Sequence, residues 1–354
     1  MPAFWTEPDF DDHESVTVVR DRASGLTAIL AIHSTHLGPA AGGTRFWNYP
    51  EPAHAMRDAL RLSRGMSYKN AMAELPMGGG KAVILADKKG HKTPAMLAAF
   101  GDAVEALGGR YVTAEDVGMT VADMVAVARR TCHVSGLPSV DGGAAGGDPG
   151  PFTAMGIYHG IKAAVAHKLG ADSVKGVRVA VQGAGSVGGG VARLLHRDGA
   201  VLTVADVDKD RSKTLAKELG ATVVDPQAII GVACDVFSPN ALGAVLDDEG
   251  IDRLDAPIVA GGANNQLARP EHGAALAARG ILYAPDYVIN AGGIISVTLE
   301  HLARQDGAHC DINEVRRRLK QIPDRLLAIW RESEASGVSS DVVADRMAQK
   351  LIGR

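Results

Sequence analysis

Cysteine is scarce in this chain. Cys132, Cys234 and Cys310 stand scattered among 354 residues. No CxxC pair occurs, and the twelve histidines show no ligand spacing. A disulfide framework is therefore excluded, no metal is expected, and a reducing cytoplasmic setting fits. Basic excess is absent too: the formal net charge is −4, which leaves no electrostatic footprint for nucleic acid. No apolar run reaches about 18 residues, so no membrane span is expected. The first residues, Met1 to Glu7, lack a basic start and an apolar core, so no signal peptide is expected either. What remains is 46% hydrophobic and 22% charged, an ordinary soluble composition long enough for two domains. Glycine is the exception: its 42 residues gather at particular turns.

Two lysines bracket one such cluster. Met66-Ser67-Tyr68-Lys69-Asn70 is followed by Pro76-Met77-Gly78-Gly79-Gly80-Lys81. A glycine triplet lets backbone approach a small ligand closely. A lysine at its end can lie desolvated, where the charged form is disfavoured and the pKa falls. A second cluster, Gly183-Ala184-Gly185-Ser186-Val187-Gly188, follows the apolar run Val177–Val181 and opens a helical pattern to about His196. Ala200–Asp206 reads as the next strand. This is the setting in which a GxGxxG motif binds a dinucleotide. Gly183 serves the tight turn, Gly185 the pyrophosphate, Gly188 the helix–strand packing, and the helix N-terminus the phosphate charge. A carboxylate at Asp206 suits the ribose hydroxyls and repels a 2′-phosphate, and Val207 to Asp210 bring no arginine, so NAD is expected over NADP.

The coarse pattern alternates strands and helices, which points to α/β architecture. Strands are expected at 15–33 around a turn at 21–25, at 81–87, 111–113, 235–238, 257–260 and 281–283. Helices are expected at 52–67, 93–108 (Thr93 as N-cap), 121–131, 153–168, 312–332 and 340–352. The stretch Asp141–Pro151 carries five glycines and two prolines and reads as the domain boundary and hinge. The expected division is 1–140 for a substrate domain and 141–326 for a Rossmann domain.

Several segments resemble the family of glutamate, leucine, valine and phenylalanine dehydrogenases, over nearly the whole chain. They are Leu37–Arg45, Arg61–Lys69, Gly78–Lys81, Thr113–Gly118, Gly262–Gln266 and Ala284–Gly293. The resemblance is to the leucine, valine and phenylalanine branch. It implies two α/β domains flanking a cleft, a C-terminal return (about 327–354) to the first domain, and assembly as a homo-oligomer, an octamer or a dimer. It implies NAD-dependent oxidative deamination of an L-amino acid to a 2-oxo acid and ammonia, and the reverse. Lys69 would pair with the substrate carboxylate beside Gly79. Lys81 would take a proton from water, and Asp116 would shuttle protons to the amino nitrogen. Glu115 is the rival carboxylate by position. Asn264 and Asn290 would contact the nicotinamide ribose or the substrate, or cap turns; Thr153 would contact the carboxamide. Asn240 stands where a cysteine is often found, and Gly188-Gly189-Gly190 makes a flexible helix start.

For the substrate side chain, Ala41 offers no cation to a distal carboxylate, which disfavours glutamate. Ala114, Ile294 and Val297 resemble the aliphatic wall of leucine and valine enzymes. Ala41 is smaller than the leucine usual in leucine dehydrogenases, which keeps phenylalanine as the alternative. One pocket methylene discriminates by only about 1–3 kcal/mol. A catalytically dead NAD-binding regulator has no need of two like charges near one site, and a hydroxy-acid dehydrogenase would need a histidine–carboxylate pair.

Overall fold

The computed structural model describes residues 4–88, 90–138, 148–241 and 243–354. Most of the glycine-rich stretch expected as boundary and hinge, residues 141–147, lies outside them. The chain forms two compact units. One comprises Met1–Asp148, Ser296–Ile312 and Ala348–Arg354; the other comprises Pro149–Ile295 and Asn313–Met347. The segments that return to the first unit are thus 296–312 and 348–354, where the sequence reading placed about 327–354.

The first unit is built on strands β1 (Ser15–Asp21), β2 (Leu26–Ser34), β3 (Ala40–Trp47), β4 (Gly78–Leu85) and β5 (Tyr111–Glu115), in the spatial order β1-β2-β4-β3-β5. The β1–β2 and β2–β4 pairs are antiparallel; β3 is parallel to both β4 and β5. Successive side chains of a strand face opposite ways, so each strand feeds two cores. Leu30, Ile32, Ala82 and Ile84 pack with Met96, Phe100 and Val104 of the helix Pro94–Glu105 and with Met124 and Val127 of the helix Val121–Val127. Ile29, Ala31 and Val83 face the other way, onto Ala55 and Ala59 of the helix Pro52–Met72. Thr93 caps its helix as expected, its side chain accepting from the Met96 N–H. The Arg354 guanidinium closes this unit by donating to the carbonyls of Asp11, Asp12 and His33.

The glycine triplet has a packing role that the sequence reading did not assign. A Cβ at Gly79 would lie 2.0 Å from the Ser67 backbone nitrogen, and one at Gly80 would lie 2.7 Å from the Tyr111 ring. Helix Pro52–Met72 and β4 therefore touch backbone to backbone, which fixes the height of Lys69 above the strand. Strand β3 went unread for a related reason: Gly42 and Gly43 dilute its β-pattern, yet a Cβ at Gly42 would lie 1.8 Å from the Gly80 carbonyl oxygen.

The second unit carries six parallel strands: β6 (Arg178–Gln182), β7 (Val201–Ala205), β8 (Thr222–Val223), β9 (Val236–Pro239), β10 (Ile258–Val259) and β11 (Leu282–Tyr283). Their spatial order, β8-β7-β6-β9-β10-β11, is the 3-2-1-4-5-6 order of the doubly wound dinucleotide fold. The expected α/β class is borne out. The helical region expected at 312–332 is two helices, Ile312–Leu319 and Ile322–Ser336. Pro323 lacks an N–H and starts the second helix rather than continuing the first. Trp330 Nε1 and Ser340 Oγ both donate to the Tyr283 carbonyl, which ties the C-terminal helices to β11. Among the described residues no helix is long and apolar enough to cross a membrane.

Candidate active site

Register assembles the first half of the site. Ala41 pairs with Gly79 and Thr44 with Ala82, a constant offset that sets Gly43 beside Lys81; Gly43 in turn pairs with Ala114. Lys81, Gly43 and Ala114 form one row across three strands. That row shares the sheet face of Gly79 and Val83, the face covered by the helix that carries Lys69. Gly43 leaves the row open, because a Cβ there would lie 2.8 Å from Asp116 Cβ. Lys81 reaches across it and donates from Nζ to Asp116 Oδ2 at 2.7 Å. Glu115, one residue earlier, faces the opposite side and is exposed. Geometry thus separates the two rival carboxylates.

The sequence reading missed Arg45. Its Nε donates to Asp116 Oδ2 at 3.1 Å and its Nη1 to Asp58 Oδ2 at 2.8 Å. Tyr49 donates to that Asp58 oxygen as well. Arg45 lies two residues beyond Gly43 on the same face, so strand alternation from Gly43 could have found it. Lys81 is 5% exposed. Burial pushes its ammonium below the ordinary lysine range; the Asp116 carboxylate opposes that shift, and the Arg45 charge adds to it. Burial alone would raise Asp116, but Lys81 and Arg45 hold its carboxyl below the usual range. The pair is a buried amine and a carboxylate sharing one hydrogen bond, with the Arg45 guanidinium donating to the same carboxylate oxygen.

Lys69 is half-buried in the last turn of its helix. The next residue, Asn70, donates from Nδ2 to the Gly78 carbonyl at 2.6 Å, which locks this turn to the start of β4. Ala41 is buried, and Ala114 and Val297 are half-buried in this same unit. Ile294 belongs to the second unit, although one helix, Gly292–Gln305, carries both Ile294 and Val297.

In the second unit β6 runs into Gly183, whose φ of +93° is readily adopted only by glycine. A Cβ at Gly188 would lie 1.9 Å from the Gly183 carbonyl oxygen, whereas one at Gly185 would meet only Arg211, at 4.0 Å. Gly185 is the open position, as close approach of a pyrophosphate requires. The helix Ser186–Arg197 begins there, with Ser186 and Val187 in its first turn. Gly190 has a packing role as well: a Cβ there would lie 2.8 Å from Ala154 Cβ, so the glycine admits the helix Gly150–Leu169.

Asp206 follows β7. Its carboxylate accepts from the Ala184 N–H at 2.7 Å and from the Asp208 N–H at 2.8 Å. The remaining lone pairs suit the ribose hydroxyls. The residues present therefore fit a nicotinamide dinucleotide. One expectation needs correction. No arginine occurs in 207–210, but Asp208 caps the helix Lys209–Leu219 and turns Arg211 back, so that Nη1 stands 3.7 Å from Asp206 Oδ2.

Asn264 and Asn290 meet: Asn290 Nδ2 donates to Asn264 Oδ1 at 2.8 Å and to the Gly262 carbonyl at 3.1 Å. Asn264 is exposed, and the buried Asn290 Oδ1 has no protein partner. Asn240 bridges the Ser238 carbonyl and the Gly262 N–H, so it braces the loop that leads to Asn264. Thr153 donates to the Pro149 carbonyl, and a Cβ at Gly293 would lie 2.7 Å from its oxygen.

A dinucleotide fold in one unit and a buried lysine–carboxylate pair in the other define an amino-acid dehydrogenase with a nicotinamide cofactor. Residues 13–133 match the Glu/Leu/Phe/Val dehydrogenase dimerisation domain, and residues 201–350 match the Glutamate/Leucine/Phenylalanine/Valine dehydrogenase domain. The leucine dehydrogenase of Geobacillus stearothermophilus is 46% identical over 341 residues, 96% of this chain and 91% of that one. The valine dehydrogenase of Streptomyces albus is 46% identical over 346 residues, 97% of this chain and 93% of that one. The crystal structure of L-tryptophan dehydrogenase from Nostoc punctiforme superposes with a TM-score of 0.83 at 41% identity, covering 96% of each chain. The chain belongs to the Glu/Leu/Phe/Val dehydrogenase family.

Proposed function

We propose that the protein catalyses NAD-dependent oxidative deamination of aliphatic L-amino acids, leucine and other branched chains foremost, and the reverse reductive amination. The observation that carries this reading is the Lys81–Asp116 hydrogen bond on the sheet face shared with Ala41 and Ala114. Lys69 holds the substrate carboxylate, and its compact ammonium suits that task. The nicotinamide, when bound, supplies the two-electron redox step at the substrate α-carbon. Oxidation leaves an iminium. Lys81, whose charged form burial disfavours, acts in its unprotonated form and removes a proton from the water that adds to the iminium carbon. Asp116, which takes a proton from the substrate ammonium before oxidation, returns it to the amino nitrogen of the carbinolamine; as the C–N bond breaks the carboxylate accepts the hydroxyl proton, and ammonia leaves with the 2-oxo acid. Arg45 is a positioning residue that holds Asp116 toward Lys81.

In the first unit Ala41, Ala114 and Val297 take the substrate side chain and Gly79 lies beside the carboxylate; in the second, Ile294 is assigned to the substrate side chain and Asn264, Asn290 and Thr153 to the nicotinamide half. Gly183 to Gly188 and Asp206 hold the adenosine diphosphate half. The enzyme acts as a homo-oligomer, a reading supported by the match to a dimerisation domain, and its scattered cysteines suit a reducing cytoplasm. A second reading, an aromatic substrate, is favoured by the small Ala41 and by the likeness to a tryptophan dehydrogenase.

The test is kcat/KM with NAD over leucine, valine, isoleucine, phenylalanine, tryptophan and glutamate. Highest values for the three branched chains support the reading. A preference for phenylalanine or tryptophan replaces it with the second, and a preference for glutamate contradicts both.

Cofactor choice gives a separate prediction. Asp206→Asn removes the charge that repels a 2′-phosphate, so the NADP-to-NAD ratio of kcat/KM should rise at least about tenfold. Arg211→Ala should lower that ratio by about two- to fivefold, the scale of one exposed ionic contact. Steady-state assays with both cofactors check each. An unchanged ratio in Asp206→Asn would remove Asp206 from cofactor discrimination.

A further inference from the structure

The fold gathers three metal-ligating side chains that no sequence motif announces. Glu105 ends the helix Pro94–Glu105, which covers the sheet face opposite Lys81. Cys132 and His133 lie in the loop after the helix Val121–Val127. His133 Nε2 stands 3.9 Å from Cys132 Sγ and 3.9 Å from Glu105 Oε2. Cys132 Sγ and the Glu105 carboxylate close the triangle, with all three ligand atoms within 4.8 Å of one another.

Around a tetrahedral Zn²⁺, ligands at about 2.0–2.3 Å sit about 3.3–3.6 Å apart. The two His133 distances exceed that range by only a few tenths of an ångström. Rotations of the exposed Glu105 and Cys132 side chains must close these gaps and the Cys132–Glu105 edge, which lies within 4.8 Å.

The frame around the cluster is firm. The His133 N–H donates to Thr131 Oγ1 at 3.1 Å, and its carbonyl accepts from the Thr113 N–H of β5 at 3.0 Å. The imidazole lies against Gly109, where a Cβ would come within 3.1 Å of Cε1. Two neighbouring cations are committed elsewhere: Arg130 is paired with Asp102 through two hydrogen bonds, and Arg304 with Glu300. Cys132 also lines a cavity of about 490 Å³ with Thr131, Leu137 and Arg304, which gives water a route to the sulfur.

We propose that Glu105, Cys132 and His133 bind one divalent cation of the Zn²⁺ class, with water as the fourth ligand. The donor set, one thiolate, one imidazole and one carboxylate, suits zinc or cobalt and not magnesium or calcium. Binding must displace the thiol proton. It clamps the end of one covering helix to the loop that is hydrogen-bonded to β5, the strand that leads to Asp116.

The test uses the full-length protein stripped with a chelator and titrated with Co²⁺, then Zn²⁺. The proposal expects thiolate-to-cobalt charge-transfer absorption that saturates at one ion per chain. Zn²⁺ should displace the cobalt with proton release and raise Tm. Cys132→Ser should abolish the charge-transfer band, and His133→Ala should weaken Zn²⁺ binding at least about tenfold. Metal-free amino-acid turnover should stay unchanged in both variants. Absence of the band in the unaltered protein, or its survival in Cys132→Ser, would overturn the site.

Discussion

Lys81→Ala should lower kcat for amino-acid oxidation about a thousandfold, within the range that a positioned general base contributes. NADH affinity should stay within a few-fold, because every cofactor-binding group proposed above lies in the other unit. The variant should fold: Asp116 keeps the Arg45 guanidinium at 3.1 Å, so deleting the ammonium leaves no unpaired buried carboxylate. Steady-state kinetics and a fluorescence titration with NADH check both halves. Turnover within a few-fold of the unaltered enzyme would show that the water proton goes elsewhere. Equal inactivity of the unaltered protein, with NADH bound, would favour the regulator alternative.

Gly79→Ala should cost at least about 3 kcal/mol of stability, the upper end for forcing extra volume into a packed core. The new methyl would meet the Ser67 nitrogen at 2.0 Å and its Oγ at 2.2 Å. A backbone atom cannot rotate aside, so strand and helix must separate, and Lys69 moves with the helix. Gly65→Ala is the control on that same helix. Nothing lies within 4 Å of a Cβ there, so it should stabilise by up to about 1 kcal/mol through helix propensity. Denaturant midpoints for the two variants test the pair. A Gly79 variant as stable as the parent would mean that β4 and the helix do not touch at this point.

The parts legible in the sequence share a property: their signal is local. The β1–β2 hairpin, the Thr93 cap and the strand–glycine–helix of the dinucleotide site each carry their pattern within one short window. The parts that were hidden depend on partners distant in sequence. Strand β3 is glycine-rich because its neighbours crowd it, so its own propensity argues against it. Arg45 enters the site only once β3 and β5 lie side by side. Arg211 reaches Asp206 through a helix cap that a search of adjacent residues passes over. Glu105 meets His133 only when the loop docks on β5. The sequence marks Lys81 as an amine that can lie desolvated, and the structure buries it. The two lysines around one glycine cluster point to Lys69 as the charge that lowers Lys81, whereas burial dominates and Arg45 acts in the same direction.

The central claim is that burial makes the Lys81 amine available as a base while Asp116 opposes that shift. The pH profile of kcat for the unaltered enzyme and for Asp116→Asn tests it most directly, since kcat reports groups in the substrate-bound enzyme. Oxidation should rise with pH along a limb whose midpoint lies below the ordinary lysine value of 10.5. Asp116 favours the charged amine, so removing its charge lets the pKa of Lys81 fall further. The residual activity of Asp116→Asn should therefore rise along a limb displaced to lower pH. A limb that stays in place, or moves to higher pH, would contradict the account.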